Sequence, residues 1–259
     1  MNTDACRSRR IDLLNDSTVR KLPRRSVALW PIGSLEPHGR LPLGIDTFIP
    51  TKILESVALR TSDAWLMPPL PFGYLFKYRA WPGSVGVPAH ALAECFASAC
   101  GGLAQLGISR LFVMSGHDEN REAALTGLRE AQDSFGVRSV YCGWIDLAMT
   151  LLPQLNASGH EGHGSECETS VFMYLFPDLP LPADLANDRK AEVRPPAMGD
   201  DDLFAPQECG TWVRQVDAKT NSRSSTGSND AASSDKGQRI IDHIVGRACE
   251  IVGALRNED

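Results

Sequence analysis

Short apolar runs alternate along this chain with segments whose apolar positions recur at helical intervals. Residues 26–32 (SVALWPI), 64–70 (AWLMPPL), 110–114 (RLFVM) and 137–144 (VRSVYCGW) read as buried strands. Residues 47–60, 89–106, 119–134, 166–175 and 235–255 read as helices. Parallel strands need a crossover element, so this alternation predicts an α/β fold with one domain and a mostly parallel central sheet flanked by helices on both faces. Residues 1–25 read as an N-terminal segment with a short helix, and residues 26–259 as the α/β domain itself.

The polar residues that stand out follow strands. SVALWPI leads into GSLEPHG, and RLFVM leads into SGHDEN. In open α/β sheets ligands bind beyond the carboxyl ends of strands, so these two distant loops can converge on one site. Residues 217–235 (DAKTNSRSSTGSNDAASSD) are polar and Ser-rich, which predicts a surface loop or a lid before the last helix.

Composition mainly excludes. At 259 residues, 42% hydrophobic and 22% charged, the chain is ordinary for one globular domain. Its net charge of -6, with acidic and basic residues interspersed, offers no basic stripe for a nucleic-acid partner. The start MNTDACRSRR is followed by a mixed sequence rather than an apolar one, and no run approaches the roughly 18 to 20 apolar residues of a membrane helix. Seven cysteines form no CxxC pair, which fits reduced thiols and predicts a cytoplasmic protein without a membrane partner.

The first loop offers Glu36, His38 and Asp46, and the second His117, Asp118 and Glu119. Mixed imidazole and carboxylate donors suit zinc, manganese or related ions better than magnesium or calcium. A pair of ions roughly 3.5 to 4 Å apart needs a bridging carboxylate, and five such side chains can supply the set. Each spacing alone, E-x-H or H-x-E, is also what solvated loop charges produce. The histidines add weight: of six in the chain, His38, His117, His160 and His163 all occupy Gly-flanked or strand-following stretches.

Taken together, these segments resemble the creatininase (creatinine amidohydrolase) family. LWPIGSLEPHGRLPLGID resembles its P-x-G-S-x-E-x-H-G block ending in a metal-bridging Asp, and VMSGHDEN its N-G-H-x-x-N block. GHGSECETS resembles H-A-G-x-x-E-T-S, GYLFKYRAWPGSVGV the stretch ending in F-P-G-T, and STGSNDAASSDKGQRI the G-x-P-x-x-A-x-x-x-K-G segment before the final helix. The resemblance implies two divalent ions per subunit (Zn, Mn or Fe). Glu36 and His117 would bind one, His38 and Glu119 the other, and Asp46 would bridge them. It implies His163 as the catalytic histidine with Glu168 orienting it, and assembly into a homohexamer. It also implies an amidohydrolase cleaving an amide, cyclic amide or formamide-type C–N bond of a small molecule.

The chain departs from that pattern beside the metals. EPHGRLPLGID is one residue short and lacks the second histidine of the block, with Arg40 near its place; LFKYRAW replaces a stretch that in many relatives contains a His; Ser115 stands for the usual Asn. Creatinine is therefore not the expected substrate. Arg40, Lys77 and Arg79 could pair with a substrate anion, and Tyr78, Trp81 and Trp144 could stack on a substrate, although surface charge and core packing explain such residues equally well. Glu161, His160 and Glu166 read as solvated. A peptide-trimming or metabolite-tailoring enzyme of the same fold, or a non-catalytic binding protein, are the competing readings.

Overall fold

The computed structural model describes residues 8–181, 202–204, 213, 215 and 224–258. Four strands form one parallel sheet in the order β2-β1-β3-β4, with β1 Val27–Ile32, β2 Ala64–Leu66, β3 Arg110–Ser115 and β4 Arg138–Gly143. The helices are α1 Asp16–Val19, α2 Ile45–Arg60, α3 Ala89–Gln105, α4 Asn120–Phe135, α5 Leu152–Leu155, α6 Glu166–Leu175 and α7 Ser234–Asn257, with 3-10 turns at Ile11–Leu13 and Ile145–Ala148. The predicted α/β architecture is what the chain adopts.

Both central strands are buried throughout because side chains alternate between two cores. Val27, Leu29, Phe112 and Met114 meet α2, α6 and α7 on one face, where Ile49, Ile53, Val171, Ile240 and Ile244 pack. Ala28, Trp30, Ile32, Leu111 and Val113 meet Phe96 of α3 and Leu128 of α4 on the other. Strand β2 is shorter than the predicted 64–70. Pro68 and Pro69 remove two ladder donors, and Leu70 returns only as an isolated bridge to Ile32. Residues 9 and 10 lie along the outer edge of β2, with Leu66 N donating to Arg9 O.

The chain leaves β1 toward β2 and returns across it to β3, so the strand order reverses between β1 and β3. Both loops that carry the conspicuous polar residues therefore open at the carboxyl end of this switch point. Among the described residues, no helix is long and apolar enough to cross a membrane. Cys95, Cys100, Cys142, Cys167 and Cys249 are free thiols.

Candidate metal centre

Three helix N-termini bring carboxylates to the switch point. Asp46 lies in the first turn of α2, Glu119 immediately precedes α4 and Glu168 lies in the first turn of α6. The positive ends of the helix dipoles favour anions there. Glu36 and His38 come from the loop after β1 and His117 from the loop after β3. Glu36, His38, Asp46, His117 and Glu168 are all buried.

The two metal-candidate imidazoles are each fixed through one nitrogen. His38 Nδ1 lies 3.0 Å from Glu36 O and His117 Nε2 lies 2.9 Å from Tyr74 O. A carbonyl can only accept, so those nitrogens carry the hydrogens and the opposite nitrogens are turned inward. His38 Nε2 faces Asp46 Oδ1 at 2.9 Å, with Glu168 Oε1 at 3.9 Å and Glu36 Oε1 at 4.0 Å. His117 Nδ1 faces Glu36 Oε1 at 3.1 Å and Asp46 Oδ2 at 3.2 Å. The two oxygens of Asp46 thus serve different histidines, and Ser34 Oγ donates to Asp46 Oδ2 at 2.6 Å.

Three triads have ligand atoms close enough to share an ion: Glu36, Asp46 and His117; His38, Asp46 and Glu168; Glu36, His38 and His163. Glu119 stands outside them. Its oxygens accept from Phe76 N at 2.6 Å and Lys77 N at 2.9 Å, and Oε2 lies 3.6 Å from His117 Nε2. Glu168 accepts from Gly164 N at 2.8 Å and is turned to His38 rather than to His163. It is Pro37 O, accepting from His163 Nε2 at 2.8 Å, that orients His163, whose Nδ1 then points at Glu36 Oε1 across 3.8 Å.

Electrostatics favour cations in this space. Among the described residues, Glu36, Asp46, Glu119 and Glu168 form ion pairs with histidines only. Burial opposes charge on His38, but Asp46, Glu168 and Glu36 outweigh it and push the imidazole up to about 10. His117 is likewise raised well above its ordinary range, by Glu36, Asp46 and Glu119 against burial. Burial raises Glu168 to about 7, helped by Asp46 and opposed by His38. Burial and the neighbouring charge on His38 hold His163 well below the ordinary range, so it is neutral. Glu36 Oε2 is buried without a hydrogen-bond partner, a costly state that a cation would relieve. The donor set fits divalent ions of the zinc and manganese type.

The other sequence candidates fall elsewhere. Trp144 belongs to the core. Arg79 is exposed, and Lys77 lies over the Tyr78 ring at 5.5 Å. Asp118 pairs with Arg121 at 3.4 Å. Glu161 and Glu166 are buried, not solvated: Glu161 accepts from Ser165 Oγ at 2.6 Å and Asn156 Nδ2 at 2.7 Å, and Glu166 from Lys236 Nζ and from Ala157 N at 3.0 Å. Half-buried His160 lies 3.6 Å from Asp202. The predicted surface loop is also corrected where it is described. Ser224, Thr226, Ser228 and Asn229 are buried; Ser224 Oγ accepts from Gly39 N and Thr226 N donates to His163 O. Residues 217–223 lie outside the described residues.

Two positioning residues escaped the sequence reading although they stand in the same motifs. Ser34 holds Asp46, and Asn120 ties three loops together by accepting from Tyr74 N at 2.9 Å and donating to Gly33 O at 2.9 Å. The signal was present in G-S-x-E and H-x-x-N.

Comparison with known proteins decides the family. The family model described as "Creatinine amidohydrolase" matches residues 13–252. The chain belongs to the creatininase family. It is 31% identical over 252 residues to the creatinine amidohydrolase of Pseudomonas putida, covering 90% of this chain and 89% of that protein. It is 30% identical over 186 residues to a mycofactocin precursor peptide peptidase of Mycobacterium ulcerans, covering 67% and 69%. The solved structure "Creatininase Mn" superposes with a TM-score of 0.78 at 24% identity, over 96% of this chain and 99% of that one. The chain is thus a creatininase-family hydrolase, as the resemblance implied.

Proposed function

We propose that this creatininase-family protein is a dinuclear metal-dependent amidohydrolase acting on a C–N bond of a small molecule other than creatinine. The observation that carries the reading is the sharing of Asp46: one oxygen faces His38 and the other His117, and both imidazoles are fixed from behind by backbone carbonyls. Glu36, Asp46 and His117 would hold one ion, and His38 and Asp46 the other. For the second ion the geometry favours Glu168 as the further donor, while the family resemblance favours Glu119. When bound, zinc or manganese ions supply Lewis acidity to a carbonyl and lower the pKa of water. His163 is neutral and its hydrogen lies on Nε2, bonded to Pro37 O, so Nδ1 is a free base; it would take a proton from the attacking water and then give that proton to the leaving nitrogen.

The peptide peptidase among the relatives keeps peptide amides in the substrate class to be screened. Free thiols support a reducing, cytoplasmic compartment. Exposed Leu43, Phe48, Phe72 and Val85 beside the site-bearing loops support homo-oligomerisation, the hexamer implied by resemblance.

The deciding experiment measures metal content and hydrolysis of a panel of linear amides, cyclic amides, formamides and peptide amides. About two ions per subunit with chelator-sensitive turnover is expected; a protein that binds no divalent ion overturns the reading. His163→Ala should retain its metal and lose on the order of 10²-fold or more in turnover, and full activity would remove His163 from the mechanism. Glu168→Gln should lower the metal content toward one ion while Glu119→Gln keeps two; the reverse order would assign the second ion to Glu119.

Loading with metal should also release protons. At pH 7 the metal-free protein keeps His38 charged, since its pKa is about 10, and His117 charged as well. Ligation needs the free base, so about two protons per subunit leave the histidines, and Glu168, raised to about 7, adds about half a proton more if it is the second ion's donor. Calorimetric titration with zinc in two buffers of different ionisation enthalpy reads this number. Raised histidine pKa values also fix a sign for the metal-free fold. Their contribution is complete below the unfolded value of about 6.5 and is lost as pH rises through about 10 for His38.

A further inference from the structure

Tyr78 is 3% exposed, yet it belongs to neither hydrophobic core. Its ring instead lies nearly parallel to the His163 imidazole, with centroids 4.5 Å apart and an interplanar angle of 18°. His38 is stacked on the same imidazole at 3.8 Å and 27°. Two near-parallel rings at those distances on one face of His163 would overlap each other, so Tyr78 and His38 must cover opposite faces.

We infer that Tyr78 is a positioning residue for His163, the outer half of a three-ring stack that fixes the plane of the imidazole and shields it from water. The hydrogen bond to Pro37 O pins one nitrogen but leaves the ring free to rock about that contact. His38 blocks rocking in one direction only. Tyr78 blocks the other, and with both in place Nδ1 stays aimed at the Glu36 carboxylate.

Tyr78 is itself braced. Ser84 Oγ donates to its carbonyl at 2.7 Å, Trp81 meets its ring edge-on at 6.1 Å, and the Lys77 ammonium sits 5.5 Å from the ring centroid. The neighbouring peptide groups at residues 76 and 77 are anchored on Glu119, so the loop that carries Tyr78 is registered to the metal-bearing loop after β3. Tyr78, a candidate for stacking on substrate, is thus engaged with a protein imidazole.

The inference rests on the role proposed for His163, and its test is built to fail separately from that role. Zinc-loaded wild type, Tyr78→Phe, Tyr78→Leu and Tyr78→Ala are treated with diethylpyrocarbonate at neutral pH, and carbethoxylation of each histidine is timed by peptide mass spectrometry. Exposed His90 serves as the internal reference. His163 should react slowly in the wild type and in Tyr78→Phe. In Tyr78→Ala and Tyr78→Leu it should react about tenfold faster or more, with zinc content unchanged. Imidazole proton resonances of His163, shifted upfield by the flanking rings, should keep that shift in the Phe variant and move downfield in the Leu variant, where only the His38 ring remains.

On any amide of the panel that the wild type hydrolyses, the Ala and Leu variants should lose on the order of tenfold or more in kcat, with KM little changed and the Phe variant near wild type. Equal His163 reactivity in wild type, Tyr78→Leu and Tyr78→Ala overturns the inference, as does unchanged kcat in variants whose His163 has become reactive. If Tyr78→Ala does not fold, the Leu and Phe variants decide alone. If the wild type hydrolyses nothing in the panel, the amidohydrolase reading fails, while the reactivity and resonance comparisons still decide whether Tyr78 braces the ring.

Discussion

Asp46→Ala is expected to give a folded protein that retains neither ion and hydrolyses its substrate on the order of 10³-fold or more slowly. The expectation follows from the division of labour within one carboxylate. Oδ1 lies 2.9 Å from His38 Nε2 and Oδ2 lies 3.2 Å from His117 Nδ1, so removing the side chain takes a donor from both candidate positions at once. Each remaining group keeps its outer support, since Glu36 O still holds His38 and Tyr74 O still holds His117. The loss is therefore one of charge and ligation rather than of fold. Asp46→Asn sharpens the comparison because it keeps the volume and removes the charge; it should also lose metal, and it further sets an amide group among the donors Ser34 Oγ, His38 and His117. Metal content by mass spectrometry, turnover and far-UV circular dichroism on the same preparations separate these effects. An Asp46→Ala protein with two bound ions would show that the centre is assembled around other residues.

Much of this arrangement is legible in the sequence, and the limits of legibility have physical causes. Strand β1 is apolar throughout and β3 is apolar between Arg110 and Ser115, because both of their faces are buried, and each ends directly in its functional loop. That local grammar is enough to predict a parallel sheet and to bring Glu36, His38, Asp46 and His117 to one end of it. Local grammar has no access to pairings between distant segments. Within HEGHGSECE, Glu161 and Glu166 read as solvated, yet both are buried because Asn156, Ser165 and Lys236 supply their hydrogen bonds. The Ser-rich segment reads as a surface loop or a lid, yet Ser224, Thr226, Ser228 and Asn229 are buried, with Gly39 and His163 offering partners to Ser224 and Thr226. Likewise nothing in the spacing of LFKYRAW reveals that Tyr78 meets His163, or in ECETS that Glu168 turns to His38.

The second large effect falls on a residue with no side chain. Gly116 follows β3 in the S-G-H turn, and a Cβ built there would stand 1.8 Å from Asp46 O and 2.7 Å from Asp46 Cα. The first of these contacts is far inside van der Waals distance, and both partners are backbone, so neither can be relieved by a side-chain rotation. Gly116→Ala must therefore push the N-terminus of α2 away from the end of β3, which is also the direction that separates Asp46 from His117. Overpacking of this kind costs about 1–3 kcal/mol, which for a chain of this size lowers Tm by roughly 2–12 °C. Function should suffer more than stability, because displacement of about 1 Å at reacting groups can cost about 10²-fold in rate, and the shifted carboxylate is the one both ions would share. Gly102→Ala on α3 supplies the control: nothing lies within 4 Å of its Cβ, and in a helix the change should be neutral or stabilising by up to about 1 kcal/mol. Thermal unfolding of the two variants with and without zinc measures both effects. If Gly116→Ala melts like the wild type and binds zinc as tightly, the close approach of β3 to α2 does not set the geometry of the centre.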